Sequence, residues 1–476
     1  MKKHLAKSLV LASLLFWGAC SNEFEHKGDS LDKSINYYTL VVNATKSNGE
    51  ITRGLSLDGT TLNQKWDDGE NVTILKKDGI NWTEIGTLTA SASSTENTIL
   101  SGIVNSKLNV NDELHLLFPR TTWDYTGQNG ILHDASSETT IEKKYDYAKA
   151  IVYVTAIEGN NVTVKRKDDL GNYHDGAIFN KEQAITKFTF SVPVKSFTIK
   201  STYKSIVQYY TLDPIGGLGF HATNGDLTVT ASTDQTVFYV AIRNNSEYKD
   251  YYSFSATDAS NNHYAGVKSA KLVNGKFYTT DVTLFPVGIH NDHEYVDLGL
   301  PSGTKWATMN VEAGSIVGNG GFYAWGETTA KDTYAWDNYS FGNSSSCTDL
   351  GDISGSSIYD VARLKWGGSW RMPTLSEYEE IKTNCTWTWT TICGVAGDLV
   401  TGINGNSIFL PATGFKRWGV WEDKGKIGFY WLTTGMPTSD HTTAFDFYFN
   451  KDFYGGAPNG GSQHRYVGYV VRPVTE

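Results

Sequence analysis

The 476-residue chain is poor in cysteine, methionine and proline, with 4, 4 and 10 of each. So few cysteines in so long a chain exclude a disulfide-held scaffold. Beyond Cys20 only Cys347, Cys385 and Cys393 remain, an odd number that allows at most one disulfide. Two readings are open for Cys385 and Cys393: a bridge across the short segment between them, or two separate small buried residues. No Cys-x-x-Cys or His-x-x-x-His spacing offers a zinc site, and neither a metal nor a cofactor is expected. Basic charge is also in deficit, 41 Lys and Arg against 51 Asp and Glu, for a net charge of −10. With no basic stripe to displace counterions, the composition argues against a nucleic-acid partner. No apolar run of about eighteen residues follows residue 19, so no membrane-spanning helix is expected in the mature chain.

Glycine and aromatic residues are plentiful, at 47 residues and 13%. Short apolar runs alternate with Gly, Asn, Asp and Ser turns, the pattern of antiparallel β structure. Runs at 37–42, 71–75, 114–118, 148–155 and 161–165 predict a first β-sandwich over 36–170. A second set at 185–192, 197–201, 227–230, 237–242, 252–257 and 277–284 predicts another over 171–286. A polar stretch, 287–293, reads as a linker. Ten of the fourteen tryptophans lie after residue 300, which gives 294–476 its own composition and predicts its own core. The expected fold class is therefore mostly β.

The last third is organised around Trp366-Gly367-Gly368-Ser369-Trp370-Arg371. A Gly-Gly pair lets backbone pass close to large rings that a Cβ would keep away. Thr374 and Glu377 form a capping-box pattern and predict a helix over 375–384. Asn404-Gly405 predicts a hairpin turn feeding a buried strand. Trp66-Asp67-Asp68-Gly69 reads as turn and core, His115 as a strand residue satisfied by its neighbours, and Tyr145, Tyr147 and Tyr153 as strand aromatics.

At the N-terminus a basic start, Met1-Lys2-Lys3-His4, precedes an apolar stretch at 9–17 and Gly18-Ala19-Cys20. Residues 1–19 read as a secretory signal. The Gly-Ala-Cys ending resembles a bacterial lipobox, which implies lipidation of Cys20, a tether over 20–35 and membrane contact through lipid alone. The acidic residues after Cys20 resemble signals that send lipoproteins to the outer face of the outer membrane.

Three further stretches carry a resemblance: Ile51-Thr52-Arg53-Gly54-Leu55-Ser56-Leu57, Trp66 to Ile74, and Leu272 to Leu284. They resemble the fimbrillin-like surface lipoproteins. The resemblance implies two transthyretin-like sandwiches, other pilus subunits as partners, and proteolytic processing at Arg53. Cutting there would free the first strand and bare a sheet edge for a donor strand.

Residues 294–476 resemble the C-type-lectin-like domains of bacterial surface proteins. The resemblance rests on Glu294 to Asn310, Gly321 to Glu327, the Gly-Gly-Ser-Trp segment and Tyr469-Val-Val-Arg-Pro-Val474. It implies an α+β domain with long loops and adjacent termini. Formylglycine-generating enzymes share that fold and the Gly-Gly-Ser-Trp segment, yet no cysteine follows Cys393 to act as thiolate, so an enzyme is not expected. Calcium-dependent sugar binding would need a Glu-Pro-Asn or Gln-Pro-Asp loop, and neither is present. What remains is recognition by a shaped surface rich in rings and small polar residues. The resemblance places the ligand face near the C-terminal strands, with candidates Thr433, Thr434, Asp440, His441, Asp446, Phe453, Tyr454, Asn459, Gln463, His464 and Tyr466. Trp431, Tyr448 and Phe449 are expected in the core. The expectation is a cell-surface adhesin at a fimbrial tip that binds a glycan or protein. The alternative is a monomeric outer-membrane lipoprotein that captures glycans without a pilus.

Overall fold

The computed structural model describes residues 37–46, 57–58, 61–62, 66–79, 81–91, 96–119, 121–134, 136–137, 139–212, 220–451 and 458–476. The expected signal, Cys20, the tether and Arg53 lie outside the described residues, as do Phe453 and Tyr454.

Strict alternation in Tyr38–Lys46 buries Tyr38, Leu40, Val42, Ala44 and Lys46 and turns the residues between them outward. This strand pairs antiparallel with Asn97–Val104 along one edge. On its other edge it runs parallel to Asn161–Lys167 and then to Ala177–Lys181. The path continues through Asn81–Ser91, Asn71–Asp78, Glu113–Phe118 and Ala148–Glu158, so the sheet closes on itself. A ring of strands thus stands where two separate facing sheets were expected, and Tyr38–Lys46 is the strand that closes it. Each fully buried Leu or Val in it contributes roughly 1.5–3 kcal/mol. Trp66 is buried, with Phe118 and Phe179 edge-on to its ring, as its turn-and-core reading requires. His115 is buried, bonded to Glu113 at 2.8 Å, and burial lowers its pKa to about 4.

The strands Tyr173–Asp175 and Ala177–Lys181 belong to this first sheet, so the boundary expected at 170 falls after 181. The stretch 122–147 departs in the other direction. Thr122–Asp124 pairs with Ile206–Leu212, and Trp123, Tyr125, Ile141, Tyr145 and Tyr147 enter the second core. Tyr145 and Tyr147 are therefore packing groups of a loop and not strand aromatics; their hydroxyls donate to the Thr126 and Asp124 carbonyls.

The second sheet is built on two long strands, Ala184–Ser201 and Leu227–Asn244, whose pairing shifts register between Thr189 and Ser196. Before the shift Ala184–Ser201 lies beside Phe277–Val282; after it the strand lies beside Asp250–Thr257. One strand thereby serves two layers, with Phe188, Phe190, Phe197, Phe238 and Phe254 packed between them, mostly edge to face.

The expected linker is not a linker. Phe285–His290 pairs with His263–Ala270 and, through a turn at Asn291 and Asp292, with His293–Asp297. The sheet runs on through Lys305–Ala307 to Val474–Thr475, which sets the start of the last domain beside its end. The helix Leu375–Asn384 begins as its sequence predicts, with Thr374 and Glu377 capping each other.

Candidate ligand-binding face

The strands Phe415–Arg417 and Val420–Glu422 form a hairpin closed by two residues, Trp418 and Gly419. Both have positive φ, 50° and 75°, as a type I′ turn requires. That turn favours Asn-Gly, because asparagine tolerates the left-handed region and a bulky residue does not. A tryptophan here strains the backbone, and its ring is 61% exposed, so burial does not offset the strain.

The hairpin is held rigidly. Arg417 forms a two-pronged ion pair with Glu422, at 2.6 and 3.0 Å. Its guanidinium carbon lies 4.8 Å from the Trp418 ring centre and 5.1 Å from that of Phe415. The Trp418 N–H donates to the Tyr334 carbonyl, and Lys416 exchanges backbone bonds with Gly468. Trp418 stacks against Tyr466 at 6.5 Å. Tyr466 in turn meets His464 and Trp336, and Trp336 meets His464 edge-on at 5.4 Å. The result is one aromatic surface, with Trp418 and His464 exposed, Trp336 half-buried and Tyr466 set beneath them. Such rings offer area at little cost in side-chain entropy.

Of the nine sequence candidates among the described residues, the structure brings only His464 and Tyr466 into this surface. Thr433, Asp446 and Tyr466 were expected to be exposed and are buried, at 0%, 3% and 4%. Thr433 and Asp446 fall on the inward registers of Ile427–Gly435 and Thr443–Asn450, where Trp431 stands opposite Asp446. Burial raises the Asp446 pKa to about 7. Asp440 accepts from Thr438 and the Thr442 N–H and serves a turn, with His441 at φ 51° in the same turn. Thr434 bridges to Asp352, Asn459 donates to the Tyr448 hydroxyl, and Gln463 accepts from the His464 N–H. Trp418, Arg417 and Trp336 were missed. Their signal was present: Trp-Gly at the tip of alternating residues, in the place usually held by Asn-Gly.

The Gly-Gly-Ser-Trp segment has a different task. His293 stacks on Trp366 at 3.9 Å, the Trp370 indole donates to the His290 carbonyl, and the Ser369 N–H donates to His290 Nε2. Gly368, at φ 56°, admits this contact, since a Cβ there would stand 2.8 Å from His290 Nε2. Arg371 forms a two-pronged ion pair with Glu377. The segment clamps the hairpin that joins the second sheet to the last domain.

All three remaining cysteines are free, so Cys385 and Cys393 are not paired. Among the described residues no three His, Cys, Asp or Glu side chains converge as a metal site, and no helix is long and apolar enough to cross a membrane.

No known family's sequence profile matches the chain, and no curated protein matches it. Solved structures it is similar to include fimbrial and candidate cell-adhesion proteins. A fimbrial protein from Bacteroides ovatus is 9% identical, with 93% of this chain and 99% of that one covered and a TM-score of 0.24. The tip fimbrial protein Mfa3 from Porphyromonas gingivalis is 10% identical over 52% of this chain and 94% of that one, also at 0.24. A candidate cell-adhesion protein from Parabacteroides distasonis is 11% identical over 52% and 88%, at 0.27.

Proposed function

We propose that the chain is a cell-surface adhesin, a fimbrial tip subunit anchored or exported through a lipid-modified Cys20, which binds a glycan or protein ligand through residues 294–476. The observation that carries this reading is Trp418: a strained, exposed ring at a hairpin tip that benefits neither turn nor core, backed by Tyr466, His464 and Trp336. Residues kept in costly conformations at a surface point to function.

Assembly by strand exchange has its own support in the first sheet. Tyr38–Lys46 closes the ring between one antiparallel and two parallel neighbours. Its departure would bare two edges that only another strand can satisfy. Arg53 follows this strand by seven residues, close enough for a cut there to release it.

Ligand binding is tested with the full chain on a glycan array and a panel of matrix and cell-surface proteins. Trp418→Ala and His464→Ala are expected to weaken saturable binding at least about tenfold, the worth of one buried aromatic anchor. Full binding by both variants, or none by the parent protein, removes the aromatic surface as the adhesive site. Fibre assembly is tested by N-terminal sequencing of fibre-associated protein. A start after Arg53 supports exchange; an intact start at Cys20 leaves a monomeric glycan-capturing lipoprotein.

A further inference from the structure

We infer that the outer edge of Asn459–His464 takes an extended segment of another protein as an added antiparallel strand, with an aromatic side chain set against His464. Asn459–His464 is the outermost strand of its three-stranded sheet, and among the described residues it pairs only with Thr443–Asn450, without a bulge. The Arg465 N–H donates to the Thr442 carbonyl, which fixes the phase of that ladder. Asn459, Gly461 and Gln463 therefore turn their main-chain groups toward Thr443–Asn450, and Gly460, Ser462 and His464 turn theirs outward. At His464 both outward groups are used: its N–H donates to Gln463 Oε1 at 2.9 Å, and its carbonyl accepts from the Val467 N–H at 3.1 Å. The outward N–H and C=O groups of Gly460 and Ser462 meet no partner strand among the described residues.

Solvent-facing sheet edges are normally guarded by a charged side chain, a proline, a bulge or a covering element. The strand Asn-Gly-Gly-Ser-Gln-His has no Lys, Arg, Asp, Glu or Pro, and Gly460, Ser462 and His464 are exposed. Alternating donors and acceptors at strand spacing match another main chain, which is how extended peptides add to sheets. In a chain of net charge −10, this uncharged edge admits a neutral strand, while a second copy of the chain is repelled. Residues added opposite Gly460, Ser462 and His464 carry their side chains onto the same face as those three. At one end of that face His464 meets Trp336 edge-on at 5.4 Å and Tyr466 at 6.0 Å, so an aromatic residue opposite His464 continues the cluster of rings. At the other end Gly460 has no side chain, which leaves room for a second large residue four positions away in the added strand.

This inference deepens the adhesin reading by naming a polypeptide ligand; it rests on that reading for the aromatic end alone, since the main-chain pairing needs only the edge. The experiment is fluorescence-anisotropy titration of the full chain against a dye-labelled peptide, Trp-Thr-Val-Thr-Trp, and saturable binding is expected. Methylating the main-chain nitrogen of its central valine removes the N–H that faces Ser462 and is expected to weaken binding at least about tenfold. Methylating the nitrogen of its first threonine, which points away from the edge, is expected to leave affinity within about twofold. Ser462→Pro removes the outward N–H while sparing the ladder to Thr443–Asn450, and is expected to cost at least about tenfold as well. Should that variant fold poorly, the two methylated peptides decide the matter on the parent protein. No saturable binding, equal losses from the two methylations, an unaffected Ser462→Pro variant, or self-association of the free chain that Ser462→Pro abolishes would each overturn the proposal. Array binding lost in Trp418→Ala while the peptide still binds Ser462→Pro overturns the edge and keeps the adhesive aromatic surface; the reverse pair of results keeps the edge and removes that surface.

Discussion

Two pairs of tryptophans meet opposite fates in the last domain. Trp366 and Trp370 are 9% and 0% exposed and pack edge to face at 5.0 Å. Trp418 and Trp421 are 61% and 37% exposed. Both pairs surround glycine with positive φ. In the first pair Gly367 and Gly368 take both left-handed positions, at 67° and 56°, and turn both rings inward onto His290 and His293. In the second pair Gly419 takes one left-handed position and Trp418 the other, so the ring is carried to the tip. Composition alone does not say which tryptophan holds a fold and which meets a partner; the residue that bears the backbone strain does.

The widest separation between the pairs comes from truncation. Trp370→Ala removes a fully buried indole and its bond to the His290 carbonyl, and is expected to cost about 3–5 kcal/mol. Trp418→Ala is expected to change stability by less than about 0.5 kcal/mol, as surface substitutions do. Denaturant unfolding of the full chain measures both. Similar losses for the two variants would make Trp418 a packing residue and leave the ligand face without its main support.

The clamp was legible in sequence because its parts are local: two glycines between two rings, then Thr374 and Glu377 in capping order. The inward strand faces were legible for the same reason, through alternation such as that of Tyr38–Lys46. What the sequence hid is non-local. Nothing in 122–147 says that its aromatics cross into the second core, since that depends on the pairing of Thr122–Asp124 with residues more than eighty positions later. The polar residues at 287–293 read as a linker because their partners, Trp366 and Trp370, are distant in the chain. The candidate site was legible only at His464 and Tyr466. Alternation around Asp446 gave two possible faces, and only the neighbouring strands decide which one is inward.

Buried carboxyl groups sharpen the contrast through pH. Among the described residues neither oxygen of Asp398 meets a donor, and burial raises its pKa to about 7; burial likewise raises that of Asp446 to about 7. Both sit well above the unfolded value of 3.8. The folded state therefore binds more protons, and the stability this confers is present at pH 4 and lost as pH rises through about 7. Burial of His115 and His293 lowers their pKa values and works in the opposite direction. Thermal unfolding at pH 5 and pH 8 is expected to show lower stability at pH 8, by about 1–3 kcal/mol. Asp398→Asn is expected to flatten that dependence. An identical slope in the variant would assign it to other groups. Binding through exposed Trp418 should not follow this titration.

The smallest effect is the most discriminating. Asparagine is the favoured first residue of a type I′ turn, so Trp418→Asn relieves strain at φ 50°. It also removes the stack on Tyr466 and the contact with Arg417. The gain from the turn and the loss of exposed contacts are each about 0.5–1 kcal/mol, so net stability is expected to hold or rise by a few tenths. Binding, by contrast, is expected to fall as far as in Trp418→Ala. A protein that tolerates asparagine in its fold but not in its binding keeps tryptophan at the tip for what it touches. A loss of more than about 1 kcal/mol in Trp418→Asn would show instead that the ring braces the hairpin, and would return Trp418 to the same class as Trp366 and Trp370.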